Sequence, residues 1–317
     1  MSQRFAVGVD LGGTNLRIGM VSDDGTLIRL IRAPSPTDRT PAEGLDVIRD
    51  LVQALVDSTG VIPEAAGVGI PGPAVDTEGT IDMLPNLPGW RGVPLAAELR
   101  RRLSWPIVVE NDANLAALGE SRWGAECRGL DLIMITLGTG VGGGVILGGR
   151  IWHGALGYAG ELGHMTISLD GPVCGCGNQG CLEAFAGKAA IVRRGCRLRE
   201  RWGGTVSDGC GAEDGELTPA AIAEAAQRGE EWAKETLDQT GRYLGVGIAN
   251  LICVLNVGTV CVSGGIAGAG ELILAAARKE VLRRAFATPA RATRIVVGRL
   301  PEPGVLGAAG LALTRVS

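Results

Sequence analysis

The residues best suited to chemistry lie in the segment 160–183, which reads GELGHMTISLDGPVCGCGNQGCLE. It contains His164, one of two histidines in the chain, and three of the eight cysteines, Cys174, Cys176 and Cys181. Zn²⁺ binds thiolate and imidazole ligands tetrahedrally, and three cysteines with one histidine fill all four positions. The sequence therefore predicts a closed, structural zinc site. The alternative is a polar, glycine-rich loop whose cysteines bind nothing.

Two carboxylates, Glu161 and Glu183, flank these four ligands in the sequence. A metal ion in this segment would hold both carboxylates toward one pocket, where each can accept hydrogen bonds from hydroxyl groups. The second histidine, His153, has no metal-binding partner at a suitable spacing. We therefore interpret His153 as an ordinary polar residue.

Glycine-rich turns lie at 10–15, 136–140 and 263–265, and each follows a predicted buried strand. Glycine lets a backbone approach a phosphate closely, so amides in the first two turns can bind one. Asp10, at the end of its strand, would face Mg²⁺ held by nucleotide phosphates. The glycines of the third turn would let a flat adenine base lie against the backbone. Each turn also has a purely structural interpretation, and neither GxGxxG nor GxxxxGK[ST] is present.

Asp112 follows a predicted strand at 106–110 and precedes a predicted helix. Catalytic groups of α/β proteins lie at this end of a strand, so Asp112 is the candidate general base. Its alternative role is the N-cap of the helix, a frequent function of aspartate. Asn86 lies in a proline-rich loop from which its amide can reach a polyhydroxyl ligand, although asparagine is also common in turns.

The elements that position these residues alternate between strands and helices. A capping box at Thr40 and Glu43 predicts a helix that ends near Gly60, and a single helix is predicted for 182–194. The turn at 136–140 repeats the order of strand, Gly/Thr turn and strand seen at 10–14. With 317 residues, the chain is predicted to form two similar domains, each contributing one phosphate-binding hairpin.

Composition excludes several classes of protein. The chain is 46% hydrophobic and carries a net charge of -4, which does not favour nucleic-acid binding. No apolar signal segment begins the chain, and no stretch approaches the roughly 18 to 20 apolar residues of a membrane span. We therefore expect a cytoplasmic protein, in a reducing compartment where clustered cysteines favour a metal over disulfides.

Taken together, these motifs resemble those of the ROK family of sugar kinases and repressors. The motifs are GVDLGGTN at 8–15, PN at 85–86, ENDAN at 110–114, LGTGVGGG at 137–144, GELGH at 160–164, CGCGNQGCLE at 174–183 and SGG at 263–265. They occur in matching order and cover nearly the whole chain. The pattern CxCGxxGCxE after GExGH is specific, whereas the glycine turns alone are not.

The resemblance implies an α/β fold of two actin-like (ribonuclease H-like) domains flanking a cleft, with a zinc-binding loop. The smaller domain would comprise 1–118 and about 300–317, and the larger domain 119–299 with the zinc loop. The resemblance also implies ATP with Mg²⁺, one structural Zn²⁺, and phosphoryl transfer to a sugar hydroxyl, usually at C6.

The resemblance further assigns roles to individual residues. Asp112 is the implied general base. The implied sugar-binding residues are Gly72, Asn86, Asn111, Asp112, Glu161, His164 and Glu183. The implied ATP-binding residues are Asp10, Gly12, Thr14, Asn15, Thr136, Gly138, Thr139, Gly140, Gly264 and Gly265. His164 would bind zinc through one ring nitrogen and present the other to the sugar.

Glucose is the first choice of substrate, because the set of sugar-binding residues is similar to that of the family's glucokinases. N-acetylglucosamine, N-acetylmannosamine, mannose and fructose are alternatives, and polyphosphate is an alternative donor. Relatives are commonly dimers or tetramers, so a homodimer or homotetramer is expected.

Two other classes of function are considered. Repressors of the family carry a DNA-binding domain ahead of the kinase-like body, and a first strand at about residue 5 leaves no room for one. A sugar-binding protein without catalysis is disfavoured because Asp10, Asp112, Glu161 and Glu183 are all present.

Overall fold

The structure, a computed structural model, describes residues 3–72, 79–81, 88–129, 131–203, 217–265 and 270–316. The chain divides into two compact units. Unit 1 comprises Met1–Leu130, Gly144–Gly160 and Leu300–Ser317, and unit 2 comprises Asp131–Gly143 and Glu161–Arg299. The predicted domains, 1–118 with about 300–317 and 119–299, stay a prediction.

The described residues form ten strands in two five-stranded sheets. They are β1 (Phe5–Leu11), β2 (Asn15–Ser22), β3 (Leu27–Pro34), β4 (Ala65–Ile70), β5 (Ile107–Asn111), β6 (Leu132–Leu137), β7 (Val141–Leu147), β8 (Arg150–Ile151), β9 (Thr259–Ser263) and β10 (Arg294–Val297). The sheet orders are β3-β2-β1-β4-β5 and β10-β9-β6-β7-β8. Both sheets are mixed. In the first sheet, β1, β4 and β5 are parallel, whereas β2 pairs antiparallel with both β1 and β3. In the second sheet, β6, β9 and β10 are parallel, whereas β7 and β8 are antiparallel.

Ten α-helices accompany these sheets in the described part of the chain. They are α1 (Pro41–Thr59), α2 (Leu95–Leu103), α3 (Asp112–Trp123), α4 (Leu182–Ala186), α5 (Lys188–Arg201), α6 (Pro219–Gln227), α7 (Glu231–Leu255), α8 (Gly270–Arg284), α9 (Ala287–Ala292) and α10 (Pro303–Arg315). None of the helices described here is both long enough and apolar enough to cross a membrane.

Helix α1 begins and ends where its sequence predicts. The Thr40 hydroxyl accepts a hydrogen bond from Glu43 N, and the Glu43 carboxylate accepts one from Thr40 N, which completes the capping box. Gly60 ends the helix with φ at +67° and donates its N–H to Val56 O, as left-handed C-terminal glycines do. The capping prediction is therefore confirmed.

Helix α10 lies against β1 and β4 at two glycines. A Cβ on Gly8 would lie 1.9 Å from Val305 O, and a Cβ on Gly67 would lie 2.0 Å from Ala308 O. Only glycine allows so close an approach between helix and strand backbones. The C-terminal helix therefore packs onto the first sheet, within unit 1.

The helix predicted for 182–194 is instead two helices, α4 and α5, separated at Gly187. Gly187 is extended, with φ at -72° and ψ at 163°, and still donates its N–H to Glu183 O. The extended residue allows Lys188 N to donate to Gly138 O, which lies far back in the sequence. A long-range hydrogen bond therefore interrupts a pattern that favoured one continuous helix.

Candidate functional site

The four predicted zinc ligands lie together in unit 2. Their ligand atoms, one from each of His164, Cys174, Cys176 and Cys181, all lie within 4.8 Å of one another. Cys176 Sγ lies 3.8 Å from Cys181 Sγ, and Cys174 Sγ lies 3.7 Å from His164 Nδ1. Sulfurs of a tetrahedral site are about 3.8 Å apart when each Zn–S bond is about 2.3 Å. The cluster therefore has the donor set and the dimensions of a structural zinc site.

Tight turns bring these ligands together. Cys174 N donates to Asn178 O, and Gly177 N donates to Cys174 O, which folds the CxC part of the motif into a compact turn. Gly180 has φ at +76°, and a Cβ there would lie 1.7 Å from Ser168 O. Gly177 also has a positive φ, at +88°, so Gly177 and Gly180 are needed for the backbone geometry of this segment.

The thiols of this cluster need a cation to ionise together. Burial raises the pKa of Cys174 to about 12 and also raises the pKa of Cys181. The backbone N–H of Asn178 lowers the pKa of Cys176. Because metal ligands are thiolates, a bound divalent cation would offset the burial that keeps the other two thiols protonated.

The two ring nitrogens of His164 face different groups. Nδ1 lies toward Cys174, whereas Nε2 lies 4.0 Å from Glu161 Oε2. The residue before the histidine, Gly163, approaches the start of β7 so closely that a Cβ would lie 1.9 Å from Val141 O. The nitrogen that faces the cysteine cluster is Nδ1, and Nε2 is directed toward the Glu161 carboxylate.

Glu183 connects the cysteine cluster to the second glycine turn. Its Oε2 accepts a hydrogen bond from Val141 N at 2.9 Å, and its Oε1 lies 3.5 Å from Cys174 Sγ. A Cβ on Gly140 would lie 2.2 Å from Glu183 Oε2, so a larger residue at this position would displace the carboxylate. One carboxylate therefore holds both the turn at 138–140 and the edge of the cysteine cluster.

The third glycine turn lies beside the end of β6, in the same unit. Gly264 has φ at +103°, and a Cβ there would lie 2.3 Å from Leu137 O. Among the described residues, no atom beyond those of its chain neighbours lies within 4 Å of a Cβ placed on Gly265. The close approach at Gly264 supports the structural interpretation of this turn.

The first glycine turn, in unit 1, joins β1 to β2. Gly12 N donates to Asn15 O at 3.0 Å, and Thr14 O accepts from Ser35 N at 3.0 Å. Asp10 lies at the end of β1, where burial raises its pKa. Arg17 Nη1 donates to Asp10 Oδ2 at 3.0 Å and opposes that effect. The turn therefore presents a buried carboxylate whose charge a cation stabilises.

Asn111, not Asp112, caps helix α3. Asn111 Oδ1 accepts from Asn114 N at 3.0 Å, and its Nδ2 donates to Gly72 O at 3.5 Å. Asp112 is the first helical residue, and its Oδ1 accepts from the N–H of Ala113 at 2.8 Å. The alternative role considered for Asp112, the N-cap, therefore belongs to its neighbour.

The remaining predicted site residues divide by unit. Unit 1 contains Asp10, Gly12, Thr14, Asn15, Gly72, Asn111 and Asp112. Unit 2 contains Thr136, Gly138, Thr139, Gly140, Glu161, His164, Glu183, Gly264 and Gly265, together with the three cysteines. Asn86 lies outside the described residues. The roles of these residues in sugar and nucleotide binding stay predictions.

Sequence reasoning missed two charged pairs beside the predicted residues. Arg17 pairs with Asp10 because the hairpin register places these residues opposite each other, and this register leaves the four residues 12–15 between the paired positions. Glu110 Oε2 lies 2.6 Å from His153 Nε2. These two residues are far apart in sequence, and no local pattern indicates the contact.

Comparison with known proteins agrees with the geometry. The profile of the ROK family matches residues 6–315. A glucokinase of Streptomyces coelicolor is 35% identical over 314 residues, which cover 97% of each sequence. A ROK family glucokinase from Streptomyces griseus, solved in complex with glucose and AMPPNP, is 35% identical, with a TM-score of 0.80 over 98% of this chain and 99% of that one.

The family also contains regulators. A xylose repressor of Caldicellulosiruptor bescii is 30% identical over 311 residues, and the match covers 95% of this chain but 75% of the repressor. The two glucokinases, in contrast, match along nearly their whole length, and the mixed sheets with their helices have the actin-like fold of the family's kinases. The chain therefore belongs to the ROK family and is a sugar kinase.

Proposed function

We propose that the chain transfers the γ-phosphoryl group of ATP to the C6 hydroxyl of a hexose, and that the hexose is glucose. Asp112 takes the proton of the attacking hydroxyl. The other hydroxyls of the sugar bind to Asn86, Asn111, Glu161, His164 and Glu183, and Gly72 lines the pocket. Relatives named as glucokinases, one of them in complex with glucose and AMPPNP, support this choice of substrate and donor.

The observation that carries the proposal is the position of Asp112. Its carboxylate stands at the carboxyl end of β5, which is parallel to β4, and α/β proteins place ligands at this edge. Because Asn111 supplies the cap, α3 does not need the Asp112 side chain for its own N-terminus. A carboxylate in this position can act as a general base.

Asp10 and the glycine turns are assigned to the nucleotide. The transferring phosphoryl group needs positioning and charge neutralisation more than covalent help, and backbone amides supply both. Mg²⁺ usually takes one or two carboxylates and the substrate phosphates, so Asp10 fits as its protein ligand. When bound, Mg²⁺ would neutralise charge on the phosphates. The raised pKa of Asp10, caused by burial, is consistent with a carboxylate that a cation stabilises.

The cysteine cluster is assigned to one structural Zn²⁺, held by His164, Cys174, Cys176 and Cys181. Four protein ligands would close the metal to substrate, so its contribution is to hold the segment in place. His164 Nε2 and Glu161 are thereby directed away from the metal. Both groups are then available for sugar hydroxyls.

Replacing Asp112 by asparagine tests the assignment directly. Asparagine has nearly the same shape but cannot accept the proton, and general-base assistance contributes typically about 10²- to 10⁴-fold in rate. Turnover of Asp112→Asn, measured in a coupled assay, should fall by that factor, while glucose binding measured by calorimetry and the circular dichroism spectrum stay close to those of the wild type. Turnover near that of the wild type would exclude Asp112 as the base.

A panel of substrates tests the remaining choices. Glucose, N-acetylglucosamine, N-acetylmannosamine, mannose and fructose are each assayed with ATP and then with polyphosphate. We expect the highest kcat/KM for glucose with ATP. A higher value for another sugar, or for polyphosphate, would reassign the substrate or the donor without affecting the role of Asp112. We also propose a homodimer or homotetramer in the cytoplasm, and light scattering in solution tests the assembly.

A further inference from the structure

Glu110 and His153 form a contact that the proposed chemistry does not use. Glu110 Oε2 lies 2.6 Å from His153 Nε2, and both residues belong to unit 1. The Glu110 side chain is 12% exposed, whereas that of His153 is 46% exposed. A largely buried carboxylate that is joined to a histidine by so short a contact is more firmly held than an ordinary surface pair.

The second oxygen of Glu110 holds the start of helix α3. Oε1 accepts a hydrogen bond from Asn111 N at 2.8 Å and another from Asn114 Nδ2 at 3.0 Å. Asn114 is itself buried, and its N–H donates to the Asn111 side chain. One carboxylate therefore joins the end of β5, the first turn of α3 and the segment that carries His153.

Asp112 lies between the two residues that Glu110 holds. Asn111 precedes it and Asn114 follows it by two positions, so the Asp112 backbone is held on both sides. Strand β7 also approaches this turn, since a Cβ on Gly144 would lie 2.9 Å from Ala113 O and 3.2 Å from Asn114 Cα. The first turn of α3 has little freedom to shift while these contacts hold.

We propose that Glu110 is a positioning residue for Asp112 and that His153 keeps the Glu110 carboxylate in the orientation this requires. The inference rests on the proposed role of Asp112 as the base. Catalytic groups must be held within a fraction of an ångström of the productive geometry, and their supporting hydrogen bonds provide that precision. His153 touches neither the sugar nor the nucleotide in this proposal and acts only through Glu110.

The position of His153 in the chain suits this function. His153 O accepts from Ala159 N at 3.1 Å, which closes the residues 153–159 into a loop. Trp152 N donates to Val145 O at 2.8 Å, which fixes the residue before the histidine to β7. Backbone hydrogen bonds on both sides therefore hold His153 in place, and the side chain can act as a fixed partner for Glu110.

Variants of the full-length chain test the proposal. Glu110→Ala and His153→Ala remove the two partners, and His153→Gln retains a side-chain donor. Leu156→Ala, at a side chain 82% exposed in the same loop, is the matched control. We measure kcat and KM for glucose and ATP, and amide hydrogen exchange at 111–114 in the absence of substrates.

Small misplacements of a catalytic group cost up to about 100-fold in rate, so we expect kcat to fall by about 10- to 100-fold in both alanine variants. KM for ATP should change by less than about twofold, because Glu110 and His153 contact none of the described residues that are assigned to the nucleotide. KM for glucose should rise in Glu110→Ala, because Glu110 holds Asn111, which is assigned to the sugar. His153→Gln should recover most of the lost kcat, and Leu156→Ala should match the wild type. Amide exchange at 111–114 should accelerate in the alanine variants only.

Folded alanine variants whose kcat and amide exchange both match those of the control would overturn the proposal. Failure of the proposed function gives a different result. If the wild type phosphorylates no sugar in the panel, the chemistry is misassigned, and the exchange measurement alone decides whether Glu110 and His153 hold the turn. If Asp112→Asn is fully active while Glu110→Ala is not, the turn serves a residue other than Asp112, and the proposal is rejected.

Discussion

Glu183 offers the sharpest test of the metal, sugar and nucleotide roles proposed for unit 2. Its Oε2 accepts from Val141 N at the second glycine turn, and its Oε1 contacts Cys174 of the cluster. We consider two substitutions. Glu183→Ala removes both contacts, whereas Glu183→Gln keeps an oxygen that can accept from Val141 N and loses only the charge. The pair therefore separates the hydrogen bond from the carboxylate.

The expected size of the effect follows from the hydrogen bond at 2.9 Å. A hydrogen bond to a charged group contributes about 1.5–3 kcal/mol, or roughly 10- to 150-fold in an equilibrium constant. Glu183→Ala should weaken the binding of AMPPNP by a factor within this range or below it, because the turn at 138–140 loses the hydrogen bond that holds it. A neutral hydrogen bond has about half the strength of a charged one, so Glu183→Gln should weaken the binding of AMPPNP by only about 3- to 10-fold.

Isothermal titration calorimetry with AMPPNP and glucose measures both affinities on one sample. Both variants should bind glucose more weakly, since each removes the carboxylate proposed to accept from the sugar hydroxyls. Asp170→Asn, an exposed carboxylate of the same segment, is the control for loss of charge, and we expect its affinities to match the wild type. If Glu183→Ala binds AMPPNP as tightly as the wild type does, the carboxylate does not hold the turn and the reasoning is refuted.

Three further predictions concern the metal, a histidine and a glycine. If His164 and the three cysteines hold Zn²⁺ as proposed, removing it from folded protein with a chelator should weaken glucose binding by at least about 10-fold before AMPPNP binding changes. Calorimetry that finds glucose affinity unchanged would reject this coupling. The hydrogen bond with Glu110 raises the pKa of His153, while burial and the charge of Arg315 oppose this effect. NMR titration should therefore find the pKa of His153 above its usual value of about 6.5, and Glu110→Gln should lower that pKa. The Glu110–His153 pair therefore stabilises the fold most at a pH below the usual histidine pKa, and this contribution is lost as the pH rises through the raised pKa of His153. A His153 pKa that is unchanged in Glu110→Gln would contradict the assignment of the shift to Glu110. Gly67→Ala places a Cβ 2.0 Å from Ala308 O, so thermal unfolding should begin at a lower temperature. Gly258→Ala, where no described atom beyond those of the chain neighbours lies within 4 Å of the added Cβ, should not change that temperature.

Much of the local structure was predictable from the sequence because the signals are local. The capping box at Thr40 and Glu43 needs only four consecutive residues, and it forms as predicted. The ligand spacing in CGCGNQGC brings the cysteines together because its glycines allow the turns, and His164 joins them through a short 3₁₀ segment at 162–164. In such cases the determining contacts lie within one turn or one hairpin.

Other features could not be predicted because distant residues determine them. Asn111 and Asp112 are both good N-cap residues, and only the hydrogen bond from Asn114 N to Asn111 Oδ1 shows which one caps α3. The break at Gly187 depends on Gly138, and the partner of Glu110 lies at position 153. Hydrophobic periodicity contains no information about these pairs, since it reports only which face of an element is buried.

Glu110 and Glu183 show why a carboxylate near a site cannot be assigned to the substrate from sequence alone. Each accepts a backbone N–H of a turn with one oxygen, Asn111 N in unit 1 and Val141 N in unit 2, and each contacts a distant side chain with the other. Sequence reasoning assigned Glu183 to the sugar and gave Glu110 no function, yet both carboxylates combine a backbone N–H donor with a side-chain contact. A charged acceptor on a turn amide is stronger than a neutral one, so both carboxylates are suited to fixing glycine-rich or capping turns that have few other contacts. Positioning therefore has to be tested separately from substrate binding, and the neutral glutamine variant of each residue makes that separation.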